Sequence, residues 1–299
     1  MRWLLGIIVL LILPGALLGI AYAISPLWLF NLLVPKDGGT RHVGRGIAYG
    51  VLPRQKLDIY APVGIVEDRR RLVIVFFYGG SWSSGSRARY GFIGRAFAAQ
   101  GFVTVIPDYR LVPKVHFPAF IEDGAAAIRW VRRDIARWGG DPDRLVLVGH
   151  SAGAYNAAML ALDPAWLGRD RRAIRGFVGL AGPYDFLPLD DPASIAAFSE
   201  APEPERTQPV HVAAAGSPPA LLATGDADNR VRARNSDKLE AALTRLHVPV
   251  ERRRYPGVDH IGMLTNLARP LRSRAPVFSD AVAFAWRVTG TSPDAVRSD

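Results

Sequence analysis

The pentapeptide Gly149-His150-Ser151-Ala152-Gly153 joins two segments of different character. Before it runs Leu145-Val146-Leu147-Val148, a short apolar stretch that reads as a buried strand. After it, Ala154 to Leu162 reads as a helix. A strand that turns straight into a helix lifts one side chain into the open on a tight backbone. Flanking glycines remove the Cβ atoms that would collide in such a turn. Ser151 is therefore expected at the top of a strand with a helix N-terminus beneath it, where unpaired N–H groups favour developing negative charge. An ordinary glycine-rich turn would use the same five letters, so the weight rests on the strand before and the helix after.

The rest of the chain keeps alternating. Val43 to Tyr49, Leu57 to Tyr60, Arg71 to Tyr78, Phe102 to Pro107, Phe177 to Ala181, Ala220 to Thr224 and Val250 to Arg254 read as strands. Arg89 to Gln100, Pro118 to Trp138, Arg234 to Leu246 and Val277 to Arg287 read as helices. This rhythm predicts an α/β fold, a mostly parallel central sheet covered by helices on both faces. Residues Gly182 to Pro218 break it with Pro, Ala and acids, and are expected to form a small cap or a long loop above the sheet.

A serine hydroxyl needs a base, and the base needs an orienting group. Loops at the C-terminal ends of parallel strands converge, so the partners should follow later strands. Asp228 lies in Gly225-Asp226-Ala227-Asp228-Asn229-Arg230-Val231, after one such strand; His260 lies in Pro256-Gly257-Val258-Asp259-His260, after the last. Asp226 competes for the acid role, and the spacing from Gly225 favours Asp228. Of the other histidines, His42, His116, His211 and His247 have the wrong order or context. The oxyanion of an attacked carbonyl needs preorganised N–H donors. Ala152 is one candidate, and the Gly79-Gly80 pair after the central strand supplies the other, with Ser81 as a further donor. Trp82, Tyr155, Tyr184 and Phe186 are candidates for a substrate pocket, with core packing as the competing role.

In sequence order, Gly79-Gly80-Ser81-Trp82, Pro107-Asp108-Tyr109-Arg110-Leu111, Phe117-Pro118-Ala119, Gly139-Gly140-Asp141-Pro142, the Ser151 turn, the Asp228 segment and the His260 loop resemble the α/β-hydrolase superfamily. The nearest resemblance is to bacterial esterases of the hormone-sensitive-lipase and feruloyl-esterase-like groups, and it covers about Leu57 to Arg287. It implies a serine hydrolase acting on small or medium carboxylic esters through an acyl-enzyme, with no metal or organic cofactor. It also makes Asp108 and Asp123 scaffold residues. The Gly-Gly-x-Trp loop is similar to that of arylformamidases as well, so amide hydrolysis is the alternative chemistry. A noncatalytic hydrolase-fold binding protein is the alternative of another class. Two positions depart from the family: Tyr78 stands where His often precedes the paired glycines, and Thr224-Gly225 where His-Gly often precedes the acid.

Hydrophobic residues make up 49% of the 299, enough for a large core. The absence of cysteine excludes disulfides and thiolate chemistry. The net charge of +10 comes mostly from arginine interleaved with acids, in short clusters such as Arg69 to Arg71, Arg169 to Arg175 and Arg252 to Arg254. No nucleic-acid-binding motif accompanies it, and no nucleic-acid partner is expected. Trp3 to Ala23 is uncharged and almost wholly apolar, long enough to span a bilayer. With Arg2 before it and Ala21-Tyr22-Ala23 at its end, it reads as a signal peptide or an uncleaved anchor. The domain is then expected outside the inner membrane, on the periplasmic side, with a membrane contact if the segment stays. Residues 24–45 connect it to a catalytic domain over 46–290, and 291–299 form a tail. Ile24 to Val34 is expected either to lie at the membrane interface or to pack on the domain as a short helix.

Overall fold

The computed structural model describes residues 25–64 and 70–290. The N-terminal segment 1–23, the tail 291–299 and Arg69 of the first arginine cluster lie outside the described residues.

Among the described residues, eight strands form one sheet. They are β1 Thr40–Ala48, β2 Lys56–Pro62, β3 Arg71–Phe77, β4 Val103–Pro107, β5 Gly140–His150, β6 Ile174–Leu180, β7 Ala220–Gly225 and β8 Val250–Tyr255. Their spatial order is β1-β2-β4-β3-β5-β6-β7-β8. β1 and β2 pair antiparallel, as do β2 and β4. Every later pairing is parallel. The central strands are the continuous apolar runs of the sequence: Leu72 to Phe77 and Leu145 to Val148 are all buried. That is the burial a parallel sheet with both faces covered requires. β8 is different. It pairs only with β7 and carries Arg252, Arg253 and Arg254, a charged edge that discourages further strand pairing.

The main helices are α1 Pro26–Leu33, α2 Gly91–Ala98, α3 Ala119–Asp134, α4 Ala152–Leu162, α5 Pro192–Phe198, α6 Arg234–Arg245, α7 His260–Thr265 and α8 Val277–Val288. α2 and α8 meet through Phe97 and Phe278, ring centroids 5.2 Å apart. α3 packs on α4. α4 is the central element: all eleven of its residues are buried, five of them alanine or glycine in its first seven positions. Such a helix is apolar all round and has no solvent face. α1 packs on the domain as a short helix through Leu27 and Phe30, the second of the two readings of that segment. The segment from Gly182 to Pro218 contributes α5 and two short helical turns, Pro204–Thr207 and Pro209–Val212.

Small residues let α4 approach the strand ends. A Cβ on Gly153 would lie 2.5 Å from the Phe77 carbonyl carbon and from the Tyr78 carbonyl oxygen. Both are backbone atoms and no rotamer change relieves the clash. Gly153→Ala should therefore destabilise the protein by about 1–3 kcal/mol or more. Urea unfolding measures this, and a midpoint equal to the parent's would contradict the packing described.

Candidate active site

Four loops at the C-terminal ends of β3, β5, β7 and β8 bring the candidate residues together. Ser151 leaves β5 with φ 55° and ψ −127° and caps α4. A non-glycine residue in that region costs of order 1–3 kcal/mol, so the surroundings must hold it there. The hold is visible: Ser151 N–H donates to the Leu180 carbonyl at 2.9 Å, and the Ser151 carbonyl accepts from Ala154 N–H at 2.8 Å.

His260 Nδ1 lies 2.7 Å from Asp228 Oδ2, and His260 Nε2 lies 2.9 Å from Ser151 Oγ. A carboxylate only accepts, so Nδ1 carries the proton and Nε2 is left to accept from the serine hydroxyl. Asp228 is buried, and its Oδ1 accepts from Arg230 and Val231 N–H, each at 2.9 Å. Burial pushes its carboxyl up, but the hydrogen bond from His260 and those from the two backbone N–H groups outweigh it. The Asp228 carboxyl ends below the usual carboxylate range and stays ionised. Asp226 does not reach His260. Its Oδ1 accepts from Gly257 N–H at 2.6 Å and fastens the loop that carries the histidine. The geometry thus separates two acids that the sequence left in competition.

Gly79 and Gly80 form the loop beside the serine. A Cβ on Gly79 would fall 2.9 Å from the Ser151 Cβ, so the two chains nearly touch. The Gly80 carbonyl accepts from Ser83 and Ser84 N–H at 3.0 Å each, which folds the loop into a turn. Gly80, Ser81 and Trp82 all have positive φ. Ala152 is the first residue of α4, so its N–H has no partner within the helix and sits next to Ser151.

Tyr78, one of the two positions at which the sequence departs from the family it resembles, braces this loop. Its ring stacks between Tyr90 and Tyr109, at centroid distances of 5.0 and 4.9 Å. Its hydroxyl donates to Asp108 Oδ1 at 2.7 Å and accepts from Arg54 Nη2 at 2.9 Å. Asp108 also accepts from the Arg87 N–H at 2.6 Å and from the Arg87 guanidinium. The flanking tyrosines hold the loop's carbonyls: Tyr109 donates to Tyr78 O at 2.8 Å and Tyr90 to Gly79 O at 3.3 Å. Asp123 binds Arg110 and Gln55 instead. Thr224, at the other departure, accepts from Arg252 Nη2 at 2.6 Å and ties β8 to β7.

A cleft of about 1890 Å³ opens over Ser151 and His260. Of the four aromatic candidates for its wall, Trp82 and Phe186 line it; Tyr155 and Tyr184 do not. Both tyrosines are fully buried. Tyr155 sits on α4, a helix without a free face, and donates to the Thr207 carbonyl at 2.8 Å. Tyr184 turns back against Gly179 and Gly182 and meets Phe177 edge-on at 6.2 Å. The expected pocket roles of Tyr155 and Tyr184 are therefore corrected to core packing. Trp82 Nε1 donates to Asn156 Oδ1 at 3.2 Å, and its ring meets Phe198 of the cap edge-on at 4.8 Å. Among the described residues no cluster of three His, Asp or Glu side chains is placed to hold a metal ion.

His150 is the residue that sequence reasoning passed over. Its Nε2 lies 2.9 Å from the His260 carbonyl oxygen, which only accepts, so Nε2 carries the proton. The two imidazole rings lie 4.8 Å apart. Burial, together with the neighbouring His260, pushes the His150 pKa down to about 3. It is a neutral donor that holds the backbone of the candidate base. The available signal was its position, directly before the serine on a buried strand end.

Comparison with known proteins agrees with this architecture. Residues 57–243, more than half of the chain, match the model of the BD-FAE family. The chain is similar to the isoprenylcysteine α-carbonyl methylesterase of Arabidopsis thaliana, 30% identical over 82% of this chain and 62% of that protein. It is also similar to the esterase LipC of Mycobacterium tuberculosis, 31% identical over 65% of this chain and 54% of that protein. The chain thus spans less than two thirds of the length of either relative. Among solved structures, a truncated carbohydrate esterase from gut microbiota superposes with a TM-score of 0.74 at 21% identity, covering 86% of this chain and all of that one. This likeness establishes the α/β-hydrolase fold.

The buried neutral His150 has a consequence for stability. An unfolded chain takes up a proton at the ordinary value of 6.5, whereas folded His150 does so only near pH 3. Its contribution is therefore whole above pH 6.5 and is lost as pH falls from there towards 3. His150→Gln keeps a donor for the His260 carbonyl without titrating. Its urea midpoint should fall less steeply across that window than the parent's; identical slopes would show that His150 does not control this loss.

Proposed function

The chain belongs to the BD-FAE family, and from that premise we propose that it is a serine hydrolase of small or medium carboxylic esters. The observation that carries the proposal is the unbroken line Ser151–His260–Asp228, with bonds of 2.9 and 2.7 Å. As the Ser151 hydroxyl attacks the ester carbonyl carbon, its proton passes to His260 Nε2. Asp228 holds the Nδ1 proton and stabilises the imidazolium that forms. The carbonyl oxygen becomes an oxyanion beside the Ala152 N–H and the Gly79–Gly80 loop. Collapse of the tetrahedral intermediate breaks the ester C–O bond, and His260 returns the proton to the leaving alcohol. Water then repeats the sequence on the acyl-Ser151, giving the carboxylic acid and free serine. Side chains and backbone at the site serve every step. The names of the relatives, a methylesterase and an esterase, support ester chemistry. No observation favours the amide or noncatalytic alternatives.

An assay on p-nitrophenyl acyl esters tests the reading. Ser151→Ala should lose roughly 10³-fold or more in kcat, and Asp228→Asn roughly 10⁴-fold. Asp226→Asn should cost far less, since its partner is Gly257 N–H. No turnover of any acyl ester by the parent, or full activity in Ser151→Ala, would end the proposal.

We infer also that residues 3–23 direct the chain to the membrane, as a cleaved signal or a retained anchor, with the domain on the periplasmic side. The support is the uncharged apolar composition of that stretch. Among the described residues no helix is long and apolar enough to cross a membrane. Alkaline phosphatase fused to the C-terminus should be active in cells, because it matures only after export. An inactive fusion, made in full, would put the domain on the cytoplasmic side.

A further inference from the structure

Helix α1 differs from the other helices of eight residues or more, each of which buries several side chains. Its sequence is Pro26-Leu27-Trp28-Leu29-Phe30-Asn31-Leu32-Leu33, apolar but for Asn31, and none of the eight is buried. Trp28, Leu32 and Leu33 are 44%, 56% and 63% exposed. The helix is nonetheless fastened. Ser25 Oγ accepts from Trp28 N–H at 3.2 Å. Asn31 Nδ2 donates to the Ala88 carbonyl at 3.1 Å, and Asn31 Oδ1 accepts from Phe92 N–H at 3.0 Å. Phe30 meets Phe92 edge-on at 5.2 Å. With its one polar side chain turned inward, the helix is held so that its apolar outer face points away from the domain. A helix whose outer face is apolar calls for a nonaqueous neighbour on that side.

Three further observations identify that neighbour. First, the uncharged residues 3–23 end at Ala23, three residues before Pro26, a reach of at most about 10 Å. Second, α1 lines the cleft that holds Ser151: Leu29, Phe30 and Leu33 form part of its wall. Ile261, the residue after His260, lines the same cleft and is 49% exposed. The apolar rim thus begins one residue from the candidate base. Third, Arg230, Arg232 and Arg234 stand exposed on the cleft and, among the described residues, pair with no carboxylate; with Arg89 and Lys238 they outnumber its acids, Asp185, Asp190 and Asp191. Tryptophan and arginine flanking an apolar surface suit the headgroup layer of an anionic bilayer.

We propose that α1 docks the mouth of the cleft on an anionic lipid surface, so that the protein draws its esters from the membrane. This rests on the ester-hydrolase reading and adds where the substrate is met. The ester enters along Leu29 and Leu33, and the arginines face the headgroups. Trp28 and Leu32 lie outside the cleft lining and serve docking alone.

The test uses the full chain reconstituted in phosphatidylcholine vesicles with and without phosphatidylglycerol. Two substrates share a leaving group: p-nitrophenyl acetate dissolved in buffer and p-nitrophenyl decanoate carried in the vesicles. In the Trp28→Ser, Leu32→Ser double variant, kcat/KM on the vesicle-borne ester should fall roughly tenfold. Acetate turnover should stay at the parent level, which also reports that the variant folds. Omitting phosphatidylglycerol or raising the salt should slow the decanoate reaction alone. Brominated phosphatidylcholine should quench the Trp28 emission, isolated as the difference between parent and Trp28→Phe. Equal losses on both esters, no loss on either, or an unquenched Trp28 would overturn the proposal. A Trp28 shielded from lipid and from aqueous acrylamide would mean that protein covers the helix, either the N-terminal segment or a second copy, and would overturn it too. If the parent cleaves neither ester, the hydrolase reading fails, and the quenching still decides the docking.

Discussion

The approach of α4 to the strand ends is the constraint on which the rest depends. It brings helix backbone against the carbonyls of Phe77 and Tyr78, a distance that only glycine at position 153 permits. Gly149 meets the same restriction from the other side, where a Cβ would lie 2.6 Å from the Ala154 Cα. Between these glycines Ser151 is forced into a positive φ and out of the sheet. Gly79, nearly touching Ser151, is the third member of the contact. Serine, helix N-terminus and glycine loop are thus fixed by one packing event, and the strain at Ser151 is spread over a buried helix that cannot shift alone.

The partners of the serine are held by different means. Asp228 is aimed by two backbone N–H groups just downstream, Asp226 closes the histidine loop, and His150 donates to the backbone of His260 from below. Charge is handled with the same economy. Asp228 is ionised and fully hydrogen-bonded, and His150, its near neighbour, is neutral. Placing a cation at His150 would oppose formation of the imidazolium at His260, 4.8 Å away.

Much of this was legible in the sequence because it is local. Seven of the eight strands lie within three residues, at each end, of where the sequence placed them, and β5 was marked by Leu145 to Val148; its first residues, Gly140 to Arg144, read Gly-Asp-Pro-Asp-Arg and carry no apolar signal. Order along the chain selected Ser151, Asp228 and His260, since strand-end loops converge whatever fills them. What stayed hidden depends on direction and on distant partners. Tyr155 and Tyr184 lie close in sequence to loops at the mouth, yet Tyr155 sits on a helix buried all round and Tyr184 packs back on two glycines. The function of Tyr78 could not be read from its neighbours, because its partners Arg54, Tyr90, Asp108 and Tyr109 come from three separate segments. The small helices of the cap were equally opaque; α5 is anchored by Asp191, which accepts from Ala193 and Ser194 N–H.

The segment after the apolar N-terminus presented two readings, an interfacial stretch or a helix packed on the domain. The structure shows the second, and the apolar face it leaves exposed is what the docking proposal uses. Leu27 and Phe30 pack inward while Trp28 and Leu32 face outward on the same eight residues. Eight residues make little more than two turns, too few for stability without a tertiary anchor, and Asn31 with Phe30 supplies it. Once anchored, the helix has apolar surface left over, and that surface runs into the cleft rather than away from it. On the docking proposed above, that placement orients the cleft towards the lipid surface.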